Sequence, residues 1–285
     1  MTQVIREREA FRAACDEARA AGRKVGLVPT MGALHEGHLS LVREARRRAD
    51  FVALTIFVNP LQFAAHEDLS KYPRTFEADV EACEKEGVDV IFAPEPGAMY
   101  PAGFQTHVEV EQLTLPLEGE FRPTHFRGVT TVVTKLFNLA GPCVAIFGRK
   151  DFQQAAVLHR MAEDLDMPVE VVKAPTVREP DGLALSSRNR YLSAEDRARA
   201  LSISRGLRAA WDAFHAGERD PSRLRELVLA EVEREMDSID YVRVVHEASL
   251  TEDPTDASPL VALVAARISG TRLIDNCVFE TDARP

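Results

Sequence analysis

Val25-Gly-Leu-Val-Pro-Thr-Met-Gly-Ala-Leu-His-Glu-Gly-His38 is the stretch that decides the fold. It begins as a short apolar run, passes two glycines and ends where the amphipathic pattern of Leu39 to Ala49 begins, so it reads as a strand turning into a helix. The same alternation continues down the chain. Phe51-Val-Ala-Leu-Thr-Ile-Phe-Val58, Val88-Asp-Val-Ile-Phe92, Val144-Ala-Ile-Phe147 and Val169-Glu-Val-Val172 are strand-like, while Phe76 to Glu86, Val129 to Leu139 and Phe152 to Leu165 are amphipathic at helical spacing. Short apolar strands separated by helices form parallel sheets covered on both faces. The expected fold class is α/β: a Rossmann-like parallel sheet with helices on both faces.

The rhythm changes after Asn189. Ser193 with Asp196 three residues on reads as the start of a long helix running towards His215, and Asp220-Pro221 as the cap and first-turn proline of another. Strand-like runs at Tyr241-Val-Arg-Val-Val245, Leu260-Val-Ala-Leu-Val264 and Thr271-Arg-Leu-Ile274 complete a smaller C-terminal α+β domain. The expected division is 1–175 and 176–285, as befits a chain of 285 residues, beyond the roughly 250 at which single cores stop growing.

Composition narrows the function classes. Thirty-five basic against forty-five acidic residues leave a formal charge of −10, which opposes the backbone attraction that sustains nucleic-acid binding. A small anion in a locally cationic cleft is still compatible, because salt screens a diffuse surface charge within about 10 Å. The segment from Met1 to Arg12 lacks the pattern of a signal peptide, and Phe51 to Val58 is too short to span a bilayer. Cys15, Cys83, Cys143 and Cys277 stand singly, without zinc-binding or disulfide-scaffold spacing. The expectation is a cytoplasmic protein with four reduced thiols, no membrane segment and no nucleic-acid partner.

The turn after the first strand carries the chemistry. In an open α/β sheet it lies at the carboxyl edge, where ligands bind, and the helix starting near His38 offers N–H groups and a positive dipole end to phosphate. His35 and His38 are spaced to face one ligand, and imidazole can donate to a phosphate oxygen as charge develops on it. Other readings of the motif are open on its residues alone. Gly32 and Gly37 have Walker A spacing, but His38-Leu39 stands where Lys-Ser/Thr is required. His-x-x-His could be half of a zinc site, although no matching thiol pair exists, and two histidines can simply cap a helix.

Further segments fall at the same edge. Asn59-Pro60 ends the second strand and puts Gln62 in the loop beyond it, where an amide that both donates and accepts suits a hydroxyl-bearing carboxylic acid; a solvated loop amide reads the same way. Gly148-Arg-Lys-Asp151 follows another strand end, with Lys150 a point charge for phosphate and Asp151 a partner for ribose or a magnesium shell, and Gln154 comes one turn later; an ordinary exposed Lys-Asp pair reads the same way. Ser186-Ser-Arg188, after the turn Pro180-Asp-Gly182, supplies two hydroxyls and a guanidinium of the kind that match a triphosphate, although such a tripeptide is also ordinary loop chemistry and only its place at the domain junction raises it. The Arg122 to Val129 segment reads as a lid in which His125 is structural.

His35-Glu-Gly-His38 resembles the signature of the nucleotidylyltransferase and class I synthetase superfamily. Ile56-Phe-Val-Asn-Pro-Leu-Gln-Phe63, Tyr72-Pro-Arg-Thr75, Arg122-Pro-Thr-His-Phe-Arg-Gly-Val129, Gly148-Arg-Lys-Asp-Phe-Gln-Gln154, Thr176-Val-Arg-Glu and Leu183-Ala-Leu-Ser-Ser-Arg-Asn-Arg-Tyr191 resemble the pantothenate synthetase family in order and spacing over roughly residues 25 to 195. The resemblance implies a ligase that condenses pantoate with β-alanine through pantoyl adenylate, releasing AMP and pyrophosphate, with ATP as substrate and Mg2+ as cofactor. It implies that Met31, Gly32, Ala33, Leu34, His35, Glu36, Gly37 and His38, Gly148, Arg149, Lys150 and Asp151, Val177, and Leu185, Ser186, Ser187 and Arg188 bind ATP. His38, His35, Lys150, Ser186, Ser187 and Arg188 would be catalytic, with His38 the proton donor. Gln62 and Gln154 would hold pantoate, and Val132 and Val133 would line its dimethyl end. A magnesium ligand is carried over to Asp79, although Ala78-Asp79 stands where relatives often have two acids. Relatives also often carry Glu-Lys-Asp-Tyr where this chain has Arg149-Lys-Asp-Phe152. The first domain would then bind ATP and pantoate, the second would close over the active site, and the working species would be a homodimer. Two other functions remain compatible with the motifs: a nucleotidylyltransferase that leaves the nucleotidyl group on its product, and a nucleotide sensor without chemistry.

Overall fold

The computed structural model describes residues 2–63, 69, 72–253 and 255–285. The chain divides into two compact units, Met1–Arg149 with Val157–Ala174, and Lys150–Ala156 with Pro175–Pro285. Lys150–Ala156, which a single cut in the chain would leave with the first unit, groups with the second.

In the first unit, β1 (Gln3–Ile5), β2 (Val25–Thr30), β3 (Phe51–Ile56), β4 (Val90–Phe92), β5 (Cys143–Gly148) and β6 (Val169–Ala174) form, among the described residues, a six-stranded sheet in the order β1-β4-β3-β2-β5-β6. Its pairings are parallel. The chain runs outward from β2 through β3 to β4, then returns to the other side of β2 with β5. The crevice beyond the carboxyl ends of β2 and β5 is therefore the topological switch point, where such sheets bind ligands.

The helices of this unit are α1 (Arg8–Ala20), α2 (Glu36–Arg48), α3 (Phe76–Lys85), the one-turn α4 (Pro96–Met99) and α5 (Glu118–Phe121), α6 (His125–Ala140) and α7 (Phe152–Asp164), whose first turn belongs to the second unit. Because strand side chains alternate between faces, each strand feeds two cores. Val28, Leu54, Ile91 and Ile146 pack with Leu41, Val42 and Ala45 of α2 and Cys83 of α3. On the other face Phe11 of α1 stacks on Phe92 with centroids 4.4 Å apart, and Phe137 of α6 meets Phe147 edge-on at 6.2 Å. The sheet is thus covered on both sides, each buried side chain of this size contributing roughly 1.5–3 kcal/mol of transfer free energy.

The second unit has an antiparallel sheet of β7 (Ser238–His246), β8 (Leu260–Ile268) and β9 (Thr271–Val278), with α8 (Ala194–His215) and α9 (Pro221–Val232) against it. Ser193 caps α8 by accepting the Asp196 N–H, and Asp220 caps α9 by accepting that of Ser222 ahead of a first-turn proline. Ile203, Leu207 and Phe214 of α8 and Leu224 and Val228 of α9 share a core with Val242, Val244, Ala262 and Val264.

All four cysteines are buried thiols. Burial pushes Cys15, Cys83 and Cys143 up to about 12, so almost no thiolate exists at neutral pH. The folded protein is expected to react with a chromogenic disulfide reagent more than about tenfold slower than the guanidinium-unfolded chain. Four rapidly titrating thiols in the folded protein would contradict this. Among the described residues no helix is long and apolar enough to cross a membrane.

Candidate active site

The turn after β2 is held by its neighbours. Thr30 at the strand end donates its hydroxyl to the Thr55 carbonyl at 2.6 Å and accepts the Gly32 N–H at 3.2 Å. Gly32 has φ +80°, and a Cβ there would lie 3.0 Å from both Asp79 Oδ2 and Ile56 Cγ2, so both conformation and space require glycine. Ala33 follows at φ +51°, a region that costs a non-glycine residue about 1–3 kcal/mol unless its surroundings hold it there.

What holds it is Asp79, buried in the first turn of α3. The Ala33 N–H donates to its Oδ2 at 2.9 Å and the Leu34 N–H to its Oδ1 at 2.8 Å, with the Thr75 hydroxyl on Oδ1 at 3.2 Å. Asp79, the residue to which the resemblance carries a magnesium ligand, thus spends both oxygens on the turn. Among the described residues no three His, Cys, Asp or Glu gather as a metal site.

His35 is the N-cap of α2. Its Nδ1 accepts the Gly37 N–H at 3.1 Å, and Nδ1 of His38 accepts the His35 N–H at 3.3 Å. An imidazole that accepts at Nδ1 carries its proton at Nε2, so the helix turn sets both tautomers, with the N–H donor on the far side of each ring. The two ring centroids lie 4.1 Å apart. One expectation is corrected here: the Gly37, His38 and Leu39 amides do not stand free for phosphate. The Gly37 N–H is taken by the His35 ring, and those of His38 and Leu39 donate to the His35 carbonyl at 2.7 and 3.1 Å. The capping imidazole takes the first of these amides and the turn of the backbone the other two. Glu36 turns to Arg43, whose hydrogen bond and charge lower its pKa against the opposing effect of desolvation.

Asn59, buried at the end of the loop after β3, organises Gln62. Its Nδ2 donates to Gln62 Oε1 and to the Gly128 carbonyl, both at 3.0 Å, while its Oδ1 accepts from the Tyr100 hydroxyl at 2.7 Å and the Leu61 N–H at 3.3 Å. Gln62 Nε2 points at Met31 Sδ, 3.2 Å away, so the amide is oriented against the His-bearing turn. Gly128 lets α6 come this close, since a Cβ there would lie 2.3 Å from the Leu61 carbonyl oxygen. Val132, one helical turn further on the same face, and Val133 are buried in α6. His125 is clamped between the Gln62 carbonyl, 3.1 Å from Nδ1, and the Arg122 guanidinium, 3.2 Å from Nε2. It supports the loop, as expected of a structural histidine.

In the second unit, Lys150 and Asp151 lie in a 3₁₀ turn after β5, Nζ and Oδ1 3.8 Å apart, with the lysine mostly covered and the acid half exposed. Gln154 follows in the first turn of α7, half-buried. The Leu185 N–H donates to the Val177 carbonyl at 2.9 Å, and Arg178 bridges Ala184, so Val177 and Leu185 are paired across a hairpin. Ser186 then caps a 3₁₀ turn by accepting the Arg188 N–H at 3.3 Å. The first unit accordingly holds Met31–His38, Gln62, Val132, Val133, Gly148 and Arg149. The second holds Lys150, Asp151, Gln154, Val177 and Leu185–Arg188. Sequence reading missed Asn59 and Tyr100; an Asn-Pro pair at a strand end hints at a cap, but two of the four partners of Asn59, Tyr100 and Gly128, lie 41 and 69 residues away.

A doubly wound sheet with a histidine pair and an oriented amide at its switch point defines an α/β nucleotide-binding enzyme. The family model described as Pantoate-beta-alanine ligase matches residues 3–278. The chain is 54% identical to the pantothenate synthetase of Syntrophotalea carbinolica over 96% of this chain and 97% of that one, and 53% identical to that of Geotalea uraniireducens over 98% and 100%. A crystal structure of pantothenate synthetase from Thermus thermophilus superposes with a TM-score of 0.91 at 44% identity, covering 98% of this chain and 99% of that one. A pantoate-beta-alanine ligase from Francisella tularensis, solved with beta-gamma ATP and beta-alanine, gives 0.81 at 30% identity, covering 99% of each. The chain belongs to the pantoate–β-alanine ligase family.

Proposed function

We propose that this protein condenses pantoate with β-alanine at the expense of ATP. A free carboxylate is a poor acyl donor, because its oxyanion repels nucleophiles and is a poor leaving group. Attack of a pantoate carboxylate oxygen on the α-phosphorus of ATP forms a P–O bond, breaks the bond to the leaving pyrophosphate and yields pantoyl adenylate. The amine of β-alanine then attacks the acyl carbon, AMP departs with the C–O electron pair, and the amine proton is lost to solvent.

Negative charge grows on the α-phosphate and pyrophosphate oxygens in the first step, so the main requirement is donors fixed before the reaction. His38 and His35 donate from Nε2. Lys150, Ser186, Ser187 and Arg188 supply charge and hydroxyls to the phosphates, and Met31–His38, Gly148–Asp151, Val177 and Leu185–Arg188 hold ATP. Gln62 and Gln154 hold the hydroxyls and carboxylate of pantoate, with Val132 and Val133 against its methyl groups. Magnesium would enter with the triphosphate and would supply positive charge against the phosphates; Asp79, whose oxygens accept from three donors, would hold it poorly. The same family reading makes the protein a cytoplasmic homodimer, a mass that light scattering measures directly.

The observation that carries this reading is the pair of backbone-set histidine tautomers at the switch point of a chain from this family. ATP and pantoate alone are expected to support exchange of labelled pyrophosphate into ATP, since among the described residues no nucleophilic Ser or Cys elbow stands beside the histidine pair to call for a covalent enzyme intermediate. Exchange that strictly needed β-alanine would overturn the two-step scheme, and an adenylylated final product in place of AMP would make the protein a nucleotidylyltransferase.

A second expectation separates the acid from the nucleotide. Neutral amides can hold a carboxylate without quenching the oxygen that must attack phosphorus. Gln62→Ala and Gln154→Ala should each leave substrate groups unpaired, at about 1–3 kcal/mol, and weaken pantoate binding tenfold or more. ATP binding, followed by calorimetry on the same proteins, should barely change. Loss of ATP affinity with intact pantoate affinity would reassign both residues.

A further inference from the structure

β9 carries two polar residues where the core of a small sheet needs none. Asp275 and Asn276 are 4% and 2% exposed. A buried carboxylate is tolerated only when paired, and this pairing is made with a residue far along the chain. Arg178 Nη1 donates to Asp275 Oδ2 at 2.6 Å and Nη2 to Oδ1 at 3.0 Å, a bidentate fork. The same guanidinium donates to the Asn276 carbonyl at 3.2 Å and the Gly182 carbonyl at 3.1 Å. Asp275 Oδ1 also accepts the Asn276 N–H at 2.8 Å, and Asn276 Nδ2 donates to the Lys150 carbonyl at 2.9 Å. Two adjacent residues of β9 therefore grip two segments: the turn that carries Lys150, and the hairpin that leads from Val177 through Gly182 to Ser186–Arg188. Within that hairpin Asn189 Nδ2 donates to Glu179 Oε1 at 2.7 Å and the Ala184 carbonyl at 3.0 Å, so a pull at Arg178 is passed to the Ser186 turn.

We propose that Asp275 and Asn276 are positioning residues for adenylate formation, a clamp that sets Lys150 and Ser186–Arg188 at a working distance from each other. The inference rests on the reading that those two segments act on the phosphates of ATP. Its physical basis is that displacing a charge-stabilising group by about 1 Å can cost on the order of 10²-fold in rate, so the frame carrying two such segments bears on the reaction even though it touches no substrate. An apolar pair at these positions would serve the sheet equally well but hold neither segment.

The test is a double-mutant cycle on the full-length protein. Asn276→Ala removes the bond to the Lys150 carbonyl and leaves the ion pair, and it should lower pantoate-dependent pyrophosphate exchange about tenfold and raise the ATP KM. Pantoate affinity by calorimetry and amide formation from supplied pantoyl adenylate should stay within about twofold. In the Lys150→Ala background the same change should have little further effect. Asp275→Asn should act in the same direction through the hairpin, with its effect lost in the Arg188→Ala background; if that protein does not fold, Asn276→Ala decides alone. Equal losses in both half-reactions, or additive losses in the cycle, would make the pair merely structural and overturn the proposal. Should Lys150→Ala and Arg188→Ala themselves leave exchange untouched, the phosphate reading fails; should they depress it while the β9 variants do not, the clamp alone fails.

Discussion

His38→Ala is expected to lower the rate of adenylate formation by about 10² to 10³, the usual consequence of removing one preorganised transition-state donor, while leaving the fold intact. The size of the effect follows from how the ring is fixed. Its Nδ1 accepts the His35 N–H, so Nε2 carries the proton without any reorganisation when charge develops on phosphate. The fold should survive because the Gly37, His38 and Leu39 amides donate to His35 atoms that the substitution leaves in place, and only the His35 N–H loses its acceptor. Amide formation from supplied pantoyl adenylate builds no pyrophosphate charge and should fall far less. His38→Gln, which restores a donor on a neutral side chain, should recover part of the loss. Rapid-quench measurement of enzyme-bound adenylate, beside steady-state turnover of supplied adenylate, separates the two steps. Equal losses in both would make His38 a structural residue of the turn.

Asp79→Ala is expected to have the largest effect on stability. Without the carboxylate the Ala33 and Leu34 N–H groups lose their acceptor in a buried turn, and each unsatisfied group costs about 1–3 kcal/mol. Ala33, at φ +51°, loses the contact that compensates its backbone strain. A total of roughly 2–5 kcal/mol should lower Tm by about 2–4 °C per kcal/mol for a chain of this size. Because the turn leads directly into His35, exchange activity should fall as well. Asp79→Asn keeps one acceptor oxygen and should fall between. Thermal unfolding combined with a magnesium titration of exchange activity checks this: an unchanged half-maximal magnesium concentration in Asp79→Asn is the expected result. A strongly raised magnesium requirement at unchanged Tm would make Asp79 a metal ligand.

The central strands β2, β3 and β5 were legible because they are nearly continuous apolar runs buried on both faces, and the edge strand β6 because its valines mark it despite Glu170 and Lys173. The capped helices were equally legible, since Ser193 and Asp220-Pro221 are local chemistry. β1 and α1 were not identified. Three residues of an edge strand carry too little periodicity, and their place is decided by pairing with β4, far off in the chain. The first-turn amides were misjudged for a related reason. A helix start offers free N–H groups in general, but whether a particular side chain folds back to take one depends on its rotamer.

By itself, then, the sequence determined the α/β class and the family, and it singled out the turn after β2 as the candidate site, because strand period, capping residues and motif spacing are local properties that survive without coordinates. Tertiary structure decided what each polar side chain is for. Asn59 orients Gln62 only because α6 crosses at Gly128, Asp79 serves the turn only because α3 sets it under Ala33, and Asp275 meets Arg178 across a separation of 97 residues. A buried carboxylate or amide looks the same in sequence whether it binds a substrate, a metal or a backbone. The physical reason is that its role is set by which donors surround it, and those donors are assembled only when distant segments are brought together by burying the apolar faces of the sheet and helices.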